Sequence, residues 1–230
     1  MAHAIYSEIA DRLIKSALGA LTLANTHAVY FDPGKEHWGE SAALNAARAG
    51  ELFIKAMVCE QHPLLIFTNA PSIAVEGGDK ALSKIADSGI SHNFKDLPNL
   101  LKNVCNVSIK DHDSFTEIGK IRNAVQHFFH PDAQVGIGGI ARDKALNFLY
   151  KNVDPLIERH FDIFAINYIE DEFYDYIVNS LIGRELKFSI PPNFRISEVN
   201  IYDELESIPI KLGHILHGEG NLSIRCRIRH

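Results

Sequence analysis

Between Trp38 and Pro63 the chain runs without a proline and is rich in alanine and leucine, two strong helix formers. The stretch predicts one long helix from about Trp38 to about His62, stopped by Pro63. A helix of that length has to be covered by neighbours, and the flanking sequence supplies them. Ile9, Leu13, Ala17, Leu21 and Ala24 recur every three or four residues, the period of one helical face, which predicts a helix over Tyr6 to Ala24. Asp32-Pro33-Gly34 marks the turn between the two. Downstream, helices are expected over Leu97 to Val104, from Asp113 or Ser114 to about Phe129, over Ala141 to His160 with a kink at Pro155, and over Ile166 to Leu181, closed by Gly183. Asp113 or Ser114 is the expected cap of the second of these, with Ser114 and Glu117 forming a capping-box pattern.

Two regions depart from this pattern. Leu64 to Thr68 is short and apolar and fits either a buried helical turn or a strand. Asn69 to Lys95, with Pro71, Gly77, Gly78 and Gly89, reads as a loop-rich insertion around a short helix near Ala81 to Ala86. After Gly183 the character changes. Pro191-Pro192 breaks the chain, and Leu222, Ile224, Cys226 and Ile228 alternate with Ser223, Arg225, Arg227 and Arg229, the period of a half-buried strand. The fold class is therefore mainly α, a helical domain over residues 1–184 followed by a small β-containing appendage over 185–230.

Composition narrows the function. Hydrophobic residues at 46% and charged residues at 23% are those of a globular chain rather than a disordered one. A net charge of −6 argues against coating long duplexes by counterion release, though not against a local basic cleft. Cys59, Cys105 and Cys226, odd in number and without a CxxC, point to a reducing compartment. No secretory signal and no apolar run near the roughly 18 residues that span a bilayer is present, so a cytoplasmic protein without a membrane partner is expected.

The most informative stretch is Arg122-Asn-Ala-Val-Gln-His127. On a helix, Arg122 and His127 lie about 140° apart, too far to stack, but the arginine is long and His127 is near the helix end. Asn123 is four residues before His127 and in reach of its ring. The pair suits phosphate chemistry. Arginine offers a permanently charged planar fork that matches phosphate oxygens, and histidine gives or takes a proton near neutral pH. RNA carries its own nucleophile in the 2′-OH, so a base and a cation are nearly sufficient and no metal or other cofactor is required. The alternative is a surface ion pair for Arg122 and a helix C-terminal histidine favoured by the macrodipole.

This stretch resembles the Arg-x4-His signature of the HEPN superfamily. The run Ala42-Ala-Leu-Asn-Ala-Ala-Arg-Ala-Gly-Glu51-Leu-Phe-Ile-Lys55 looks like the long helix that precedes the motif helix in that superfamily, and Asp96-Leu-Pro-Asn-Leu-Leu101 is similar to the linker between them. The resemblance spans about residues 38–160. It implies a HEPN-like helical bundle that dimerises through the motif helix, so that both copies of Arg122 and His127 face one composite cleft. It implies Arg122 and His127 as the catalytic pair, with Asn123 positioning them, in a metal-independent endoribonuclease that leaves a 2′,3′-cyclic phosphate and a 5′-OH. Many members are toxins or act against phage, which implies an antitoxin or regulatory protein as a partner. Some carry, two residues after the histidine, a tyrosine that a partner enzyme modifies; Phe129 stands here. A HEPN-like module that binds RNA or senses without catalysis is the alternative. Glu51, Lys55, Gln126 and His130 are candidates to border the cleft, and Glu51 with Lys55 equally fits a structural i, i+4 ion pair.

The remaining signals are weaker. Arg225, Arg227 and Arg229 would share one strand face and contact RNA backbone, or guard an edge strand against aggregation. Gly136-Ile-Gly138-Gly139 matches a dinucleotide pattern only on paper, since no strand precedes it, and reads as a loop between helices. The pairs His127/His130 and His214/His217 lack the acidic or cysteine partners of a zinc site. Phe128, Phe129 and Phe148 read as core.

Overall fold

In a computed structural model the described residues are 2–30, 34–35, 37–69, 88–127, 137–170, 174–192 and 194. They form a mainly helical body: α1 Ala2–Val29, α2 Trp38–Gln61, α3 Leu97–Cys105, α4 His112–His127, α5 Ile137–Phe148, α6 Asp154–Phe161 and α7 Asp175–Gly183. Short 3-10 turns lie at Pro63–Ile66, Phe94–Asp96 and Ala165–Asn167. An antiparallel bridge joins Phe67 to Ser91. The tail expected to hold strands, and the short helix expected near Ala81 to Ala86, lie outside the described residues, as do Phe128 and Phe129.

α2 is the central helix. Its alanines Ala42, Ala43, Ala46, Ala47 and Ala49 are fully buried and pack on the Ala17, Ala20, Leu21 and Ala24 face of α1. Ala10 near the start of α1 meets Val58 and Cys59 near the end of α2, while His27 near the end of α1 meets Ser41 in the first turn of α2. The two helices are therefore antiparallel. On another side of α2, an aromatic group of Phe94, Phe115 and Phe148 joins α2 to α4 and α5; Phe94 stacks on Phe115 at 4.4 Å and Phe148 lies edge-on to Phe115 at 5.7 Å. Gly50 leaves room for this group. A Cβ there would stand 2.4 and 2.8 Å from two Phe148 ring carbons. Gly50→Ala, although it favours the helix locally, is expected to cost about 1–3 kcal/mol by forcing the Phe148 ring out of place. A urea melt beside the parent chain measures it, and an unchanged midpoint would mean that the ring yields freely.

Several expectations are corrected. α1 runs on past Ala24 to Val29 because tertiary contacts take over from the apolar period. Asn25 is fully buried and its Nδ2 donates to the carbonyls of Ala165 (2.9 Å) and Tyr168 (2.8 Å). The same contacts break the helix expected over Ile166 to Leu181. With those carbonyls and the Glu170 N–H engaged by Asn25 and Thr26, the chain makes a 3-10 turn at Ala165–Asn167, and α7 covers Asp175–Gly183.

The cap of α4 is Asp111, not Asp113 or Ser114. Asp111 Oδ1 accepts from the Ser114 N–H at 2.9 Å, which places Ser114 inside the first turn, and that bond holds the Asp111 carboxyl below its usual pKa. Glu117 pairs with Lys144 of α5 at 2.7 Å rather than reaching back to a cap. The Ala141 to His160 helix starts earlier, at Ile137, so Gly138 and Gly139 sit in its first turn and not in a loop. It is interrupted by a π turn at Leu149–Val153, where the Asp154 N–H bonds Leu149 O. Pro155, with no N–H to offer, follows directly.

The π turn is put to use. It directs Asn152 onto the start of α4, where its amide accepts from the Asp111 N–H (2.8 Å) and donates to Asp111 O (2.9 Å) and Ser114 Oγ (2.8 Å). The motif helix is thereby anchored at its N-terminus. Beyond α7 the chain keeps packing on the body, with Leu186 and Phe188 both 3% exposed in the main core. No helix among the described residues is long and apolar enough to cross a membrane.

Candidate functional site

The inner face of α4 is drawn by Phe115 and Ile118, both buried. Arg122 is one turn further along that face, four residues after Ile118, so a cation occupies what the helical period makes a core position. It points toward α2, where Glu51 and Lys55 stand one turn apart. Lys55 Nζ donates to Glu51 Oε1 at 2.6 Å, and Arg122 Nη2 lies 3.3 Å from Glu51 Oε2. The Arg122 guanidinium sits over the Phe94 ring, 5.6 Å from its centroid. Lys55 also donates to Ser91 Oγ at 3.0 Å.

The three charged side chains are graded in burial. Lys55 is 8% exposed, Glu51 18% and Arg122 26%. Lysine is almost never this buried unless paired, and here a carboxylate and a hydroxyl receive it. Two cations share one carboxylate, so the group carries one net positive charge. Arg122 is its most open member and holds the longest contact. Most of its five N–H donors remain for another acceptor, and an anion approaching from solvent meets Arg122 first.

The structure brings Glu51, Lys55 and Arg122 into one cluster, and the i, i+4 pair of Glu51 and Lys55 is part of it. Asn123 and Gln126 lie on the exposed side of α4. His127 is the last residue of α4 and its side chain lies outside what is described, as do His130, Arg225, Arg227 and Arg229. Among the described residues no group of three or more His, Cys, Asp or Glu could hold a metal ion. Ser91 and Phe94 escaped the sequence reading because they fall in the stretch taken for a loop-rich insertion. Phe94 is in fact core, 7% exposed. A lone serine and a lone phenylalanine carry no spacing signal, and only the return of the chain against α2 and α4 brings them in.

No family model, no curated protein and no solved structure matches the chain.

Proposed function

We propose that the chain is a HEPN-type, metal-independent endoribonuclease acting as a homodimer with a composite cleft between two copies of α4. The observation that carries the reading is the Arg122 guanidinium, set on the inner face of the motif helix beside Glu51 and Lys55 and still a quarter open to solvent. In the reaction the 2′-OH oxygen attacks the adjacent phosphorus and the P–O5′ bond breaks. The 2′-OH proton passes to a base, and the 5′ oxygen leaves with a proton from an acid. His127 takes the general acid or base role, Arg122 stabilises the charge gathering on the phosphorane oxygens, and Asn123 holds the imidazole. Gln126 and His130 border the cleft, and Arg225, Arg227 and Arg229 contact RNA backbone. An unrestrained ribonuclease harms its host, so the proposal includes an antitoxin or regulatory protein, a cytoplasmic setting and a role as a toxin or anti-phage effector.

Purified chain incubated with total RNA and tRNA in EDTA tests this. Wild type is expected to generate 2′,3′-cyclic phosphate and 5′-OH ends, and His127→Ala to generate none. Equal cleavage by the two ends the proposal. One observation favours a second reading, a HEPN-like module that binds RNA or senses without cutting: Glu51 already engages both Arg122 and Lys55. That reading expects RNA binding with no new 5′-OH ends.

A further inference from the structure

We propose that Ser91 is a positioning residue for Arg122, acting through Lys55 and Glu51; its effect on cleavage rests on the ribonuclease reading, and its effect on Arg122 does not. The Lys55 ammonium has three N–H donors in a nearly closed site. One goes to Glu51 Oε1 at 2.6 Å and one to Ser91 Oγ at 3.0 Å. A buried ammonium short of acceptors is costly, so loss of the Ser91 hydroxyl turns Lys55 further onto the carboxylate it already holds. Lys55 already holds one oxygen of the Glu51 carboxylate, and the second, Oε2, is the one facing Arg122 at 3.3 Å. The Arg122 contact is the longest of the three and is displaced first. Ser91 therefore holds Lys55 to one side of the carboxylate and leaves the other oxygen to Arg122.

Ser91 is itself held. Residues 66–69 clasp residues 88–92 around the Phe67 to Ser91 bridge. The Thr68 N–H and hydroxyl both donate to Ile90 O (2.8 and 3.0 Å), and the His92 N–H donates to Ile66 O (3.1 Å). Asn69 closes the clasp, accepting from the Ile90 N–H at 2.8 Å and donating to Ser88 O at 3.0 Å. Successive side chains of an extended chain point opposite ways. Ile90 is 62% exposed, and Ser91 turns to Lys55.

The test compares Ser91→Thr with Ser91→Val in the full chain. The two side chains have the same shape and differ by the hydroxyl, so packing and folding effects cancel between them. The Arg122 guanidinium resonances are followed by 15N-edited NMR and identified by their loss in Arg122→Lys. The threonine variant is expected to keep the wild-type Arg122 signal. The valine variant is expected to shift it and to speed guanidinium exchange with water. In RNA cleavage the valine variant is expected to lose about 10- to 100-fold in kcat with little change in KM, as for a misplaced catalytic group. Identical Arg122 signals in the two variants overturn the proposal. A wild type that cuts no RNA overturns the ribonuclease reading instead, and the NMR comparison still decides the role of Ser91.

Discussion

Arg122→Ala is expected to slow RNA cleavage by about 10²- to 10³-fold, the usual loss when one stabiliser of a developing oxyanion is removed. The fold should survive. The pairing with Glu51 that this substitution removes is 3.3 Å long and partly open to water, and Lys55 still neutralises the carboxylate at 2.6 Å. Partly exposed pairs of this kind contribute about 1 kcal/mol or less. Arg122→Lys separates charge from shape, since an ammonium keeps the charge but loses the planar fork that matches two phosphate oxygens. It is expected to recover only part of the rate. Initial rates of 5′-OH end formation, read beside thermal melts and the oligomeric state of each variant, decide the matter. Arg122→Ala cutting RNA at the parent rate, or a loss of rate that merely follows a loss of folding, would remove Arg122 from the mechanism.

The second large effect concerns Asp154, which is 1% exposed. Its carboxylate accepts from the Ala165 N–H (3.1 Å) and the Ser189 N–H (2.7 Å), which ties the start of α6 to the segment after it and to the chain beyond α7. Burial outweighs those bonds and raises its pKa from 3.8 to about 6. Beside it, Tyr150 donates to Asn25 Oδ1 at 3.2 Å, and burial with the nearby Asp154 charge pushes its hydroxyl well up. Between pH 3.8 and about 6 the folded chain holds a proton on Asp154 that the unfolded chain has released. Stability from this group is therefore complete below about pH 3.8 and is lost as pH rises through about 6. The gap corresponds to roughly 3 kcal/mol. Asp154→Asn cannot titrate, so the stability of wild type relative to the variant should fall by about that amount from about pH 4 to about pH 7. Urea melts across the range measure it. Parallel stability curves for the two proteins would show that the carboxyl titrates normally.

Helix-forming runs were legible along most of the chain, because helical period, proline stops and alanine content are local properties. α2 and α3 appear within a residue or so of where the pattern puts them. Two of the errors share one cause. The cap of α4 went to Asp111 because Asn152, from a π turn about forty residues on, grips that residue from outside. The Ile166 to Leu181 pattern was broken by Asn25 and Thr26 reaching over from α1. In each case a side chain distant in sequence takes the backbone groups that a helix would use itself. No local period records that competition.

The candidate site divides the same way. Composition and spacing alone were enough to single out Arg122 as a cation on a helix that turns an apolar face inward and Glu51 with Lys55 as an i, i+4 pair, since both statements concern one helix at a time. That the two helices bring these groups within 3.3 Å, that Arg122 keeps the open side while Lys55 is shut in, and that Ser91 and Phe94 complete the wall were decided only by the tertiary structure. The physical reason is that burial, and with it the strength of a charge contact, belongs to the packed body. It arises when α4, anchored at Asp111 by Asn152, is laid against the alanine-lined central helix, and no single segment of the chain contains it.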